Sequence, residues 1–149
     1  MRRLVEEAGL DDAVTVDSAG TAGYHLGERS DRRTVAEAHR RGLGADHRAR
    51  QLQAAELGSW DLILVMDEAN ARDVRALARL GRPGPSIFGE RIRLLRSFDP
   101  SAVASGALEV PDPYYADDAA FSLVFDQVER ACQGLLREVH PMVESVGCL

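Results

Sequence analysis

The feature that most constrains the fold of this chain is the unbroken apolar run Leu62-Ile63-Leu64-Val65-Met66. A strand with one face in water alternates apolar and polar side chains, but this run shows no alternation. Such a run is typical of a parallel strand whose two faces are both covered. It therefore predicts a buried strand in the middle of the chain.

Helix and strand signals alternate along the rest of the sequence. Strands are predicted over residues 13–16, 62–66 and 92–95. Helices are predicted over residues 2–8, from a cap at Ser30 or Asp31 to Gly42, from a cap at Asp67 to Gly81, and from near Asp117 to the residue before Pro141, with a short helical turn over residues 53–58. Alternating strands and helices predict an α/β domain with a parallel sheet, and residues 1–149 show no repeat or linker that would indicate a second domain.

Apolar spacing indicates which faces of the two longest helices are buried. In the helix before Gly81, Val74, Leu77 and Leu80 recur at helical spacing. The C-terminal helix carries a longer stripe, formed by Phe121, Val124, Phe125, Val128, Cys132, Leu135 and Val139. We expect both stripes to face the core.

Composition excludes several classes of protein. The 149 residues are 45% hydrophobic and carry a formal charge of -6 without a run of like charges, which argues against nucleic acid or an anionic membrane as a partner. No apolar stretch is long enough for a membrane span or a signal peptide, so we expect a cytoplasmic protein. Cys132 and Cys148 are too few for a disulfide framework and lack the spacing of a metal site.

Four segments, in this order along the chain, carry a family resemblance. They are Val16-Asp17-Ser18-Ala19-Gly20-Thr21, His47-Arg48-Ala49-Arg50-Gln51-Leu52, Leu62-Ile63-Leu64-Val65-Met66-Asp67 and Val110-Pro111-Asp112-Pro113-Tyr114-Tyr115. Together they resemble the low-molecular-weight protein tyrosine phosphatases, from Leu4 to about Val139. The resemblance implies a three-layer α/β fold with a four-stranded parallel sheet in the order 2-1-3-4. It also implies hydrolysis of phosphomonoesters through a phosphocysteine intermediate, without a metal or other cofactor.

The sequence departs from that family at the nucleophile. The family places it in a loop of the form Cys-x5-Arg-Ser/Thr between the first strand and the first helix, and no such loop occurs among the 149 residues. Four residues separate Cys132 from Arg137, and no Arg follows Cys148. We therefore expect a chain truncated at its N-terminus, without the first, central strand, and inactive as given. Two hypotheses remain open, a polypeptide that starts upstream of Met1 and a genuine truncated relative.

The resemblance also assigns the remaining site residues. Asp112 would be the general acid that protonates the leaving oxygen of tyrosine, whose conjugate acid has a pKa of ~10. Tyr24, Tyr114 and Tyr115 would form the walls of the substrate cleft. Ser18 and His47 would hydrogen-bond the phosphate loop and stabilise the thiolate. Without the resemblance, an Asp before Pro is commonly a turn residue, Ser18 a turn former and His47 a surface residue.

The predicted partner is a phosphotyrosine protein or a small aryl phosphate. Two other functions are weighed against it. An arsenate reductase on the same fold would need redox cysteines near the nucleophile, and neither Cys132 nor Cys148 suits that role. A non-catalytic relative would bind a partner through the cleft without turnover.

Overall fold

A computed structural model of the chain describes residues 1–45, 47–81 and 89–146. The helices are α1 (Arg2–Glu7), α2 (Arg32–Arg40), α3 (Glu68–Gly81), α4 (Pro100–Ser105) and α5 (Asp118–Val146), with 3₁₀ turns at Ala54–Ser59 and Leu95–Phe98. The strands are β1 (Ile63–Val65) and β2 (Ile92–Leu94). The chain is thus a small α/β domain in which the described strands form a short parallel sheet.

Both strands contribute side chains to the core. β1 and β2 pair in parallel, with Ile63 opposite Ile92 and Val65 opposite Leu94. One face of this sheet packs against α3, in a cluster formed by Leu57, Ile63, Val65, Ala71, Val74, Ala78 and Ile92. On the other face, Leu64 packs against a cluster formed by Leu95, Ala131 and Cys132, which Leu4 of α1 also contacts. The prediction that the apolar run at 62–66 is covered on both faces is confirmed, because consecutive β1 side chains enter different clusters.

Helix boundaries follow the local signals in most places. Asp31 caps α2 by accepting a hydrogen bond of 2.8 Å from the backbone N–H of Arg33, and Gly42 follows the helix with φ of 68°. Asp67 accepts a hydrogen bond of 2.7 Å from the N–H of Asn70 at the start of α3. Gln53 and Glu56 form a capping box at the first 3₁₀ turn. These contacts confirm the predicted starts of the three elements.

Three details of the sequence prediction are wrong. Residues 13–16 form no strand: the N–H of Val14 donates to the carbonyl of Leu10, and the carbonyl of Val16 accepts from Arg2 Nε. A β-branched run forms a strand only beside a hydrogen-bonding neighbour, and within the described ranges none pairs with this segment. Leu80 is exposed on the last turn of α3 rather than buried.

The third error concerns the end of α5, which continues through Pro141 to Val146. Proline removes one backbone N–H and crowds the preceding turn, so it ends many helices. Here the loss of one donor does not interrupt a helix whose earlier turns are anchored by buried Phe121, Ala131 and Leu135.

The loop that follows α4 is docked at the carboxyl end of β1. Gly106 ends α4 with φ of 73°, and Val110 is then buried, donating its N–H to the carbonyl of Met66 over 2.8 Å. Because Met66 follows directly after β1, this bond places residues 110–112 at the edge of the sheet where the strand ends. Side chains with chemical roles often lie at that edge of a parallel sheet.

Candidate active site

Asp112 is an exposed carboxylate on a fixed stretch of backbone. Pro111 and Pro113 restrict the backbone on either side of it. Its Oδ1 accepts a hydrogen bond of 3.0 Å from the N–H of Tyr114, and the preceding Val110 is held by Met66. The carboxylate therefore faces solvent while its main chain is anchored to the sheet. This is a suitable arrangement for a group that delivers a proton to a bound molecule.

Glu109 and Arg96 support the segment that leads into the Asp112 loop. Arg96 is buried and donates from Nη1 to the carbonyl of Glu109 over 2.6 Å. The carboxylate of Glu109 accepts a bond of 2.9 Å from the N–H of Glu68, at the N-terminus of α3. An acidic side chain at this end of a helix is favourable, because the free N–H groups and the helix dipole are positive there.

The tyrosines assigned to the cleft are strongly exposed. The exposed fractions are 79% for Tyr24, 51% for Tyr114 and 96% for Tyr115. The rings of Tyr114 and Tyr115 meet edge to face at 4.9 Å, beside Asp112, whereas the ring of Tyr24 meets His25 at 4.6 Å. Among the described rings, no contact joins Tyr24 to the other two. Large exposed aromatic rings are available to pack against an aromatic ligand.

The segments that contain Ser18 and His47 are brought together by backbone pairing. Gly20 forms an isolated parallel bridge with Gln51: its N–H donates to the carbonyl of Arg50, and its carbonyl accepts from Leu52, each over 2.9 Å. This pairing joins the first two of the four segments on which the resemblance rests.

Ion pairs reinforce the same junction. Arg50 donates to the carboxylates of Asp17 and Glu56, with shortest distances of 2.8 Å to each. The Ser18 backbone N–H and the Arg50 guanidinium lower the pKa of Asp17. The hydrogen bonds that Arg50 donates to Glu56 and to Asp17 raise the pKa of Arg50. The segment at Asp17 and Ser18 is thereby held against Arg50 and Glu56.

Ser18 and His47 do not contact each other in the described part of the chain. Ser18 is exposed, and its backbone N–H donates to the carboxylate of Asp17. Nε2 of His47 lies 3.4 Å from Oγ of Ser30. The structure thus brings Asp112, Tyr114 and Tyr115 together and pairs the segments of the other residues. It shows no direct contact between these two groups of residues.

Cys132 lies away from this edge, in the cluster between α1, α5 and the sheet. Burial raises the pKa of its thiol, so the thiol form is favoured over the nucleophilic thiolate. Cys148 lies outside the described residues. Within the described ranges, no group of three His, Cys, Asp or Glu side chains is placed to hold a metal ion, and no helix is long and apolar enough to cross a membrane.

The chain matches the family model of the low molecular weight phosphotyrosine protein phosphatases over residues 1–145. It belongs to this family. A relative from Streptomyces coelicolor, a low molecular weight protein-tyrosine-phosphatase, is 45% identical over 143 residues, which cover 96% of this chain and 84% of the relative. The human low molecular weight phosphotyrosine protein phosphatase is 34% identical, over 93% of this chain and 83% of its own length.

Solved structures agree with this phosphatase assignment. A protein tyrosine phosphatase from Entamoeba histolytica, crystallised with Hepes in its active site, matches with a TM-score of 0.83 and 26% identity. The match covers 94% of this chain and 84% of that one. The similarity therefore extends over most of both chains rather than over one motif.

Sequence reasoning missed two residues that hold the candidate phosphatase site. Arg96 contacts Glu109, and Arg33 contacts the loop at Tyr114, which lies 81 residues further along the chain. No local pattern distinguishes Arg33 from Arg32, which lies in the same first turn of α2. For Arg96 no local pattern indicates burial.

Proposed function

We propose that this chain carries the general-acid part of a tyrosine phosphatase site, with Asp112 as the acid. Its proton would pass to the phenolic oxygen as the P–O bond breaks, so that tyrosine leaves as a neutral phenol. The supporting observation is the exposed Asp112 carboxylate on a loop anchored at the carboxyl end of β1, in a member of this phosphatase family. The proposed substrate is a phosphotyrosine protein or a small aryl phosphate.

The remaining assignments are proposals of the same kind. Tyr24, Tyr114 and Tyr115 would pack against the aromatic ring of the substrate, and their exposure supports this role. Ser18 and His47 would hydrogen-bond the phosphate-holding loop. The whole of residues 1–149 would act as one domain, in the cytoplasm.

The nucleophile is the critical part of the proposal. A phosphate group carries about two negative charges, which need backbone N–H groups and an Arg to hold them, and the attacking thiolate needs the same positive field. The 149 residues contain no Cys-x5-Arg sequence that could provide these groups. We propose that the chain as given is inactive by itself. A longer polypeptide with such a loop ahead of α1 would be active.

The proposal is tested by comparing two proteins in an assay of aryl phosphate hydrolysis. One is the 149-residue chain, and the other is the same chain preceded by a segment with a strand, a Cys-x5-Arg-Ser loop and the start of a helix, here called the complemented chain. We expect background hydrolysis from the first and turnover from the second. Replacing the added Cys by Ser should abolish that turnover, and no phosphocysteine should then be trapped during the reaction.

Two results would overturn the proposal. One is turnover by the 149-residue chain comparable with that of the complemented chain, because no loop would then be needed. The other is a complemented chain that melts cooperatively and binds phosphate but never hydrolyses the ester.

A further inference from the structure

Arg33 joins three parts of the molecule that are far apart in sequence. It lies in the first turn of α2, half-buried, and its guanidinium reaches the loop that follows Asp112. Nη2 donates to the carbonyl of Tyr114 over 2.8 Å, and Nη1 donates to the carbonyl of Ala116 over 3.1 Å. Two carbonyls of one irregular loop are therefore held by one planar group.

The guanidinium is itself held in place from its own helix. Nε lies 3.2 Å from Oδ1 of Asp31, and Nη2 lies 3.1 Å from Oδ2. Hydrogen bonds from the Arg33 side chain and backbone lower the pKa of Asp31, so this carboxylate is charged at neutral pH. Asp31 thus caps α2 and orients the guanidinium at the same time.

Aromatic contacts fix the plane of the guanidinium. Its central carbon lies 4.4 Å from the ring centre of Phe121, a buried residue of α5, and 5.8 Å from the ring centre of Tyr114. Cations over aromatic faces at these distances are attracted to the ring. The side chain therefore lies between α2, α5 and the loop and contacts all three.

The link to Asp112 runs through Tyr114. The carbonyl of Tyr114 accepts from Arg33, while its N–H donates to the carboxylate of Asp112 over 3.0 Å. We propose that Arg33 is a positioning residue, which holds Tyr114 and thereby fixes the orientation of the Asp112 carboxylate. The proposal rests on the proposed role of Asp112 as the general acid. In the proposed proton transfer, Arg33 itself touches no reacting atom.

The geometry requires arginine rather than a cation of any shape. Lysine has one ammonium group, which cannot donate to two carbonyls, form the paired contact with Asp31 and stack on Phe121 together. Arg33→Lys should therefore retain part of the loop order and of the Asp112 orientation that Arg33→Met removes. Arg32→Met is the matched control, because Arg32 is the exposed neighbour on the same turn of α2.

The first test uses the 149-residue chain and measures backbone amide order parameters by NMR relaxation. In Arg33→Met, the values at Tyr114 and Ala116 should fall from about 0.85, typical of rigid backbone, to below about 0.6. Arg33→Lys should give intermediate values and Arg32→Met unchanged ones. Unchanged order at Tyr114 in Arg33→Met would overturn the proposal. If Arg33→Met fails to fold, the same measurement on Arg33→Lys decides.

The second test separates positioning from general damage, in the complemented chain. Phenyl phosphate has a leaving group that needs a proton, whereas 2,4-dinitrophenyl phosphate has one that leaves readily as an anion. Arg33→Met should lower kcat/KM, which reports the step in which the phenol leaves, about tenfold for the first ester and less than about twofold for the second. An equal loss on both esters would contradict positioning of the acid.

Failure of this inference is distinguishable from failure of the proposed function. If Asp112→Asn shows no preference between the two esters, the proposed acid is wrong, while the order parameters still test whether Arg33 holds the loop. If Asp112→Asn shows the preference but Arg33→Met does not, only the inference about Arg33 fails.

Discussion

Gly134 lies where α5 crosses the backbone of the second 3₁₀ turn. A Cβ placed at this position would overlap the carbonyl oxygen of Phe98. Glycine therefore allows the two backbones to touch, and Phe98 beside them is buried. Glycine inside a helix normally lowers its stability, so the close approach explains why it is useful here.

Gly134→Ala should therefore destabilise the protein, although alanine is the better helix former. The added methyl group must displace backbone, and overpacking of this kind costs about 1–3 kcal/mol. Urea unfolding measures the change in the free energy of unfolding. Gly58→Ala is the control, because a Cβ at Gly58 meets nothing within 4 Å, and it should change that free energy by less than about 0.5 kcal/mol. Equal effects of the two substitutions would show that the contact with Phe98 is unimportant.

The buried thiol of Cys132 gives a second prediction for a single residue. Burial raises its pKa and blocks access, so alkylation by iodoacetamide should be at least about a hundredfold slower in buffer than in urea. Peptide mapping after the reaction separates Cys132 from Cys148. Rapid labelling of Cys132 in the folded protein would contradict its place in the core.

Ion pairs connect the end of α2 to α5. Glu37 is buried on α2 and pairs with Arg40 and Arg41. Arg41 continues to α5, where its Nη1 lies 2.7 Å from the carboxylate of Asp126 and 3.5 Å from that of Glu129. Burial alone would raise the pKa of Glu37, but the hydrogen bonds from Arg41 and Arg40 outweigh it and lower the pKa.

This network should make stability sensitive to acid. The pKa of Glu37 is lower in the folded than in the unfolded chain, where it is ~4.3. The contribution of charged Glu37 to the free energy of unfolding is therefore complete above the unfolded-state pKa. It is lost as the pH falls through the folded-state pKa. Glu37→Gln should reduce the decline in the free energy of unfolding below about pH 4. Glu6→Gln, at an exposed site of α1, should leave the decline unchanged.

Urea unfolding at a series of pH values measures both variants. Identical pH profiles for Glu37→Gln and the unmodified chain would show that Glu37 does not contribute to the acid sensitivity. The neutral variant should also be less stable than the unmodified chain at pH 7, because Arg40 and Arg41 lose a charged partner.

Local sequence patterns correctly predicted the elements that are determined by residues close to them in the sequence. The caps at Asp31 and Asp67 and the apolar run of β1 are examples. Residues 13–16 have the composition of a strand but form none, because a strand depends on a partner that composition does not reveal. The short helix α4, which begins after its cap at Asp99, was not predicted at all.

For the whole molecule, the site residues were found by resemblance and not by pattern. Nothing local distinguishes Asp112 from a turn residue, and only the order of four segments along the chain singled it out. The supporting residues Arg33 and Arg96 were missed, because their partners lie 13 to 83 residues away and are brought close only by folding. The roles of Asp112, Tyr24, Tyr114, Tyr115, Ser18 and His47 stay predictions.

The measurement that tests the account most directly is the leaving-group dependence of kcat/KM for Asp112→Asn in the complemented chain, because kcat/KM reports the step in which the phenol leaves and not the later hydrolysis of the phosphocysteine. A general acid contributes about 10²–10⁴-fold to turnover, and only when the leaving group needs a proton. Asp112→Asn should therefore lose that factor on phenyl phosphate and little on 2,4-dinitrophenyl phosphate. Asp61→Asn, an exposed carboxylate at the opposite end of β1, should match the unsubstituted chain on both esters. Equal losses on the two esters for Asp112→Asn, or none on either, would contradict the assignment of Asp112 as the proton donor.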